Sequence, residues 1–384
     1  MFVHRDNRQG PASSRGSGNS GRGILENLDW NHRQELGRGS FGVVYKMQRK
    51  DGHGFRAVKC IRRTTRNQDT DQEWRALENL GVHRNIVKCY SHQDIALEGK
   101  PHLAIELEYV DGQNLTHHMS SYHRAGRSMP SATVAQFTYQ ILKGIQFIHS
   151  KRYIHRDIKP DNIMLTSTLE VKITDFGLAS YVDSSEWKNG FAGTLLYLGP
   201  EVFAYHMQGY TTDVWAVGAT AFNMLFKGHS PFTVINENEI QQKALRNLGA
   251  RARDSALYVQ EQRRLIFEHY SRIDWPRQID PWSGNHKDSF AFIKKLLTAD
   301  YGSRPTADRA LNDPWIRLIR PTPNVPQNMG PFIPRGRLTS NKTDIGVHGQ
   351  AATTRADSGV HGLAPSDPNQ EIKCKISKFV KSKV

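Results

Sequence analysis

The stretch His155-Arg156-Asp157-Ile158-Lys159-Pro160-Asp161-Asn162 constrains this chain more than any other, because of the residues just beyond it. Two short apolar runs, Ile163-Met164-Leu165 and Val171-Lys172-Ile173, read as a strand pair, and Asp175-Phe176-Gly177 comes directly after. A solvated loop accounts for any one of these charges alone, but the spacing of the whole set is highly specific.

Upstream, Gly37-Arg38-Gly39-Ser40-Phe41-Gly42-Val43-Val44 is a GxGxxG string, a weak signal alone because such glycines serve dinucleotide folds, phosphate loops and plain hairpins. In a dinucleotide-binding unit the third glycine opens a helix, whereas here Val43-Val44-Tyr45 continue as strand. The glycines therefore bend a hairpin that can close over phosphates. Phe41 to Lys46 and Phe55 to Ile61, separated by Asp51-Gly52-His53-Gly54, read as an antiparallel hairpin. Ala57-Val58-Lys59 on its second strand would place an ammonium beneath the glycines, although a strand lysine by itself usually faces solvent.

Farther on the period changes. Val134, Phe137, Ile141, Ile145 and Ile148 fall at helical spacing, and Val214 to Phe226 is apolar nearly all round, as in a buried helix. The fold class expected is α+β, a β-rich first part and a larger, mostly helical second part. Residues Asn236 to Arg272 are charged and helix-prone, with Leu245, Leu248, Leu257, Leu265 and Ile266 only loosely periodic.

The 384 residues suit one two-lobed catalytic domain with tails, since such domains need about 250–300 residues. Hydrophobic residues at 38% suffice for a core, while a mean hydropathy of -0.60 leaves part of the chain solvated. Residues 1–29 form a basic Gly/Ser/Arg tail expected to be flexible, and residues 318–384 a Pro-rich, then polar and basic one. Cys60, Cys89 and Cys374 have neither disulfide-framework nor zinc spacing, which points to a reducing compartment, cytoplasmic or nuclear. The longest apolar run is shorter than the roughly 20 residues of a bilayer crossing, and no apolar signal segment opens the chain, so a soluble protein is expected. A net charge of +15 favours acidic partners: nucleic acid, an anionic membrane or phosphorylated protein. Nucleic acid as main ligand lacks interleaved aromatic platforms.

Taken in order, the motifs from Gly37 to Arg304 resemble the eukaryotic protein kinase family, over about residues 30–317. The resemblance implies a small lobe to about residue 110, a larger lobe to about 317, ATP and Mg2+ as cofactors and protein substrates. Lys159, two residues after Asp157, looks serine/threonine-specific. By similarity Gly37, Gly39 and Gly42 approach the ATP phosphates and Lys59 holds them. Two glutamates compete to pair with Lys59: Glu73 fits better than Glu78, because Leu77 and Leu80 follow it at the family's spacing. Asn162 and Asp175 are the expected magnesium ligands, Asp157 the group that accepts the substrate proton, and Lys159 the charge on the γ phosphate. Thr194 resembles the threonine that braces Asp157 and Lys159. Around the adenine the resemblance places Val44, Ala57 and Met164, the gatekeeper Leu107, and the hinge residues Glu108 and Val110.

Elsewhere the resemblance pairs Glu201 with Arg304 and makes Asp213 an anchor of the catalytic-loop backbone. Gly199-Pro200-Glu201 departs by one methyl group from the family's Ala-Pro-Glu, and 236–272 is longer than the usual link, an expected docking surface. In the family Arg156 meets a loop phosphate, for which Ser184 or Ser185 is favoured here over Ser180 and Thr194. Asp161 suggests basic residues before the acceptor. A pseudokinase scaffold is the alternative function, but none of its usual losses is present. Glu371 to Val384 would form a basic amphipathic helix, through Ile372, Ile376, Phe379 and Val380, suited to an anionic membrane or partner.

Overall fold

In β2 (Gly42–Gln48) buried Val43, Tyr45 and Met47 alternate with half-buried Val44 and Lys46, so the strand has one core face. That is the logic of the first part of the molecule, here described from a computed structural model covering residues 24–39, 42–64, 70–183, 187–226, 228–232, 236–272 and 287–317. After a short helix α1 (Ile24–Asn27), β1 (Gln34–Gly39), β2, β3 (Phe55–Arg62), β4 (Cys89–Leu97) and β5 (Lys100–Glu108) make one antiparallel sheet in the order β1-β2-β3-β5-β4. One face packs Val43, Tyr45, Met47, Val58, Cys60 and Ala104 into a small core. The other joins Ile61, Leu103 and Ile105 to Ala76, Leu77 and Leu80 of helix α2 (Gln72–Leu80) in the main core. Because side chains alternate along β3, Lys59 falls on the α2 face, between Val58 and Cys60 of the other.

Residues 24–29, placed in the tail by sequence, belong to this lobe. Leu28 is buried in the small core and bridges Arg49, and the Asp29 N–H donates to the Gln48 carbonyl at 2.8 Å. One buried leucine and a single backbone bridge tie this segment to the lobe, a signal too small for composition to show.

The second part is helical. It runs β6 (Gly112–Asn114), α3 (Leu115–Arg124), α4 (Ser131–Ser150), β7 (Tyr153–Ile154), β8 (Ile163–Thr166), β9 (Val171–Ile173), β10 (Ser180–Tyr181), β11 (Trp187–Asn189), α5 (Pro200–Tyr205), β12 (Met207–Gly209), α6 (Tyr210–Leu225), α7 (Glu237–Leu248), α8 (Ser255–Ser271), α9 (Lys287–Leu296), α10 (Ala307–Ala310) and α11 (Pro314–Arg317). The five apolar positions expected on α4 are all fully buried, and α6 is buried nearly all round, as its composition dictates. Each such large side chain contributes about 2 kcal/mol by leaving water. The architecture is the expected two-lobed α+β one.

The segment 236–272 does add helix. Leu245 and Leu257 are exposed, but Leu265, Ile266 and Tyr270 are buried, and α8 buttresses α5: Tyr270 stacks on Phe203 with centroids 5.5 Å apart, and Arg263 donates to the Ala204 carbonyl at 3.2 Å. No helix among the described residues is long and apolar enough to cross a membrane. Phe41, Ser184, Ser185, Cys374, the rest of both tails and the amphipathic stretch 371–384 lie outside the described residues.

Candidate active site

The hairpin β1–β2 closes where Gly39 pairs with Gly42, and Gly42 is required there by geometry: its φ is 143°, and a Cβ would lie 2.2 Å from the Cys60 carbonyl oxygen. This turn roofs a cleft of about 620 Å³ between the two lobes. Gly37, Gly39 and Gly42 line it from the turn, Val44 and Ala57 from β2 and β3, and Met164 from β8. Lys59 and Glu73 line it as well, and Leu107, Glu108 and Val110 come from the segment joining the lobes. The structure thus gathers every residue that the sequence placed around a nucleotide. Leu36, Val87, Gly112, Gln113, Asn114, His117 and Thr174 line it too and were missed. Only Asn114 carried a readable signal, as N-cap of α3, where its Oδ1 accepts from the His117 N–H at 2.8 Å.

A chain of charges crosses the cleft. Lys59 Nζ donates to Glu73 Oε2 at 2.5 Å and to Asp175 Oδ1 at 2.9 Å, while Glu78 is exposed on the far side of α2. Burial opposes the Lys59 ammonium, but the carboxylates of Glu73 and Asp175 outweigh it and hold its pKa above the ordinary lysine value. Burial likewise acts against ionised Asp175, yet Lys59, then His155 and the Gly177 N–H, bring its pKa below the usual carboxylate value. Lys59 is therefore a fixed cation and Asp175 a fixed anion at neutral pH.

Beside this chain stands a second cluster. Asp157 is 6% exposed. Its Oδ1 accepts from the Thr194 hydroxyl at 2.6 Å, and its Oδ2 from Lys159 Nζ at 2.7 Å and Asn162 Nδ2 at 2.9 Å. Lys159 Nζ also donates to Thr194 Oγ1 at 2.7 Å. Thr174 joins the two clusters: its N–H donates to the Asn162 carbonyl at 2.9 Å, and it lines the cleft next to Asp175.

Two backbone positions here are left-handed, Arg156 at φ 68° and Asp175 at φ 61°, each costing on the order of 1 kcal/mol or more. The first is held by Asp213, whose carboxylate accepts from the His155 and Arg156 N–H groups, both at 2.9 Å, and contacts His149 Nε2 at 2.9 Å. Around His155 the bonds fix the tautomer: Nδ1 accepts from the Asp157 N–H at 3.3 Å, and Nε2 donates to the Thr174 carbonyl at 3.1 Å. Arg156 donates through Nε to the Leu178 carbonyl at 2.6 Å.

For a metal, the described residues hold no cluster of three or more His, Cys, Asp or Glu. Of the hard oxygen donors, the Asp175 carboxylate lines the cleft, and the Asn162 amide stands beside Asp157, to whose Oδ2 its Nδ2 donates at 2.9 Å. That hard, sparse donor set fits a cation that keeps its own waters and shares phosphate oxygens, and it does not fit zinc or a resident all-protein cage.

The sequence model of the family described as "Protein kinase domain" matches residues 30–316. The chain is 29% identical over 296 residues to CDPK-related kinase 3 of Arabidopsis thaliana, covering 74% of this chain and 44% of that protein. It is 29% identical over 294 residues to death-associated protein kinase dapk-1 of Caenorhabditis elegans, covering 74% and 18%. With human myosin-IIIa the identity is 28% over 300 residues, 76% of this chain and 17% of that one. The chain thus spans less than half the length of these relatives. The two-lobed fold, the cleft between the lobes and the match over residues 30–316 together place the chain in the eukaryotic protein kinase family.

Proposed function

We propose that this member of the family is a protein serine/threonine kinase that transfers the γ phosphate of ATP to Ser and Thr hydroxyls with Mg2+ as its cation. The observation that carries the reading is the Asp157 cluster: one carboxylate, one ammonium and one hydroxyl, mutually bonded within 2.7 Å and tied through Asn162 and Thr174 to the cleft that holds a fixed lysine.

ATP would lie with its base between Val44, Ala57 and Met164, against Leu107, Glu108 and Val110, and its phosphates under the glycine turn. Glu73 holds Lys59 where its charge meets the phosphates, and Lys159 neutralises the migrating group as negative charge spreads over it. Asp157 Oδ1 accepts one bond from Thr194 and keeps a lone pair for the substrate hydroxyl, which it orients and whose proton it takes. Asn162 and Asp175 would hold Mg2+, which when bound offsets phosphate charge. The pairing of Lys159 with Thr194 supports hydroxyl acceptors of Ser and Thr type, and exposed Asp161, four residues beyond Asp157, favours basic residues before the acceptor.

Asp157→Asn should reduce transfer by at least about a hundredfold while leaving ATP affinity within a few-fold, since the cleft contacts remain. Near wild-type turnover in this variant would sink the assignment.

A further inference from the structure

Gln208 has no part in the reaction described above, yet its side chain is fully buried. Burying an amide is costly unless it is bonded. Gln208 sits in β12, which pairs with β11 on the segment leading to Thr194: Trp187 opposes Gly209, Lys188 opposes Gln208 and Asn189 opposes Met207. The Gly190 N–H then donates to the His206 carbonyl at 2.7 Å. Past the end of this ladder, Gln208 Nε2 donates to the Ala192 carbonyl at 2.9 Å, whereas Oε1 has no partner among the described residues. The amide is therefore kept for its donor.

The residues clamped in this way are those that touch the catalytic loop. Gly193 has φ 109°, and a Cβ there would lie 2.3 Å from the Arg156 carbonyl oxygen, so the two backbones meet directly. Thr194 follows, bonded to both Asp157 and Lys159. Gly193 is pressed on one side by the catalytic loop, and its neighbour Ala192 is held on the other by Gln208. A shift at Ala192 therefore reaches the Thr194 hydroxyl within two residues.

We infer that Gln208 is a positioning residue for phosphoryl transfer: by holding Ala192 it sets the Thr194 hydroxyl between Asp157 and Lys159. The inference rests on the kinase reading above and names a residue that acts through Thr194. A reacting geometry loses rate steeply with displacements near 1 Å, so the effect belongs in kcat and not in ATP binding.

Gln208→Met keeps length and volume, removes the unmet acceptor and deletes the donor. It should lower kcat about tenfold with KM for ATP within about twofold and a melting temperature within a few degrees. In a Thr194→Ala background the same substitution should cost less than about twofold, because its route is already cut. Gln208→Asn, which keeps the amide but shortens its reach, should lose as much as the methionine variant and serves if that variant folds poorly. Amide hydrogen exchange of the intact chain gives a readout independent of turnover: protection of the Tyr197 N–H, which donates to the Thr194 carbonyl at 2.9 Å, should fall in both variants. Unchanged kcat, a full tenfold loss in the Thr194→Ala background, or unchanged protection would each overturn the inference. A wild-type chain that transfers no phosphate would instead refute the kinase reading, and the exchange arm would still decide the role of Gln208.

Discussion

Arg304→Met should cost the protein more stability than almost any other single change. Arg304 donates through Nη1 and Nη2 to the two oxygens of Glu201 at 2.7 and 2.9 Å, and both side chains are 0% exposed. The guanidinium also bonds the carbonyls of Thr211 at 2.8 Å and Thr298 at 3.0 Å and lies 4.8 Å from the centre of the Trp215 ring. Methionine fills much of the volume but leaves the Glu201 carboxylate, among the described residues, with the Thr212 hydroxyl 3.0 Å away as its remaining side-chain donor. Breaking a buried pair in this way costs about 3–5 kcal/mol, a large share of the roughly 5–15 kcal/mol that holds a domain. Glu201→Gln/Arg304→Met removes the orphaned charge, so the double variant should be less destabilised than the sum of its singles by at least about 2 kcal/mol. Urea unfolding at constant m value reads both quantities. A cost below about 1 kcal/mol for Arg304→Met, or strict additivity in the cycle, would show that the pair is not the buried tie described here.

Glu73→Gln should cut turnover by about tenfold or more by releasing Lys59, while Glu78→Gln, on the exposed side of α2, should leave it within about twofold. Steady-state assays of the two variants side by side decide this. The Asp213 carboxylate is destabilised by burial, but His149, His155 and the backbone draw its pKa below the ordinary aspartate value. It thus contributes stability that is full above the unfolded pKa of about 4 and fades as pH falls through the lowered folded value. The stability gap between wild type and Asp213→Asn should accordingly narrow on acidification below about pH 4, and a gap independent of pH would contradict the ion contacts. A peptide library should show selection for Arg or Lys before the acceptor, lost in Asp161→Asn, and no such selection would remove the role given to Asp161.

Legibility in the sequence tracks the places where short-range chemistry decides the structure. The turn at Gly39 and Gly42, the helical stripe of α4 and the apolar α6 are local patterns, and each forms as read. Glu73 was separable from Glu78 because helix spacing sends them to opposite faces. The missed cleft residues are different. Leu36, Gln113 and His117 reach the cleft only because β1 and the β6–α3 corner are brought beside it by tertiary packing, and nothing in their own neighbourhood marks them. Leu28 and Gln208 are likewise single residues whose importance lies in the groups they meet across the chain: Arg49 just past the end of β2 and the carbonyl of Ala192.

Whether the Asp157 cluster transfers phosphate to Ser and Thr is decided by incubating the purified chain with γ-labelled ATP, Mg2+ and a mixed peptide library, then identifying the labelled amino acids. Label should appear in phosphoserine and phosphothreonine, dependent on the divalent cation and absent with Asp157→Asn. Label confined to phosphotyrosine would contradict the acceptor class, and tight ATP binding without transfer to any peptide would contradict the enzyme itself.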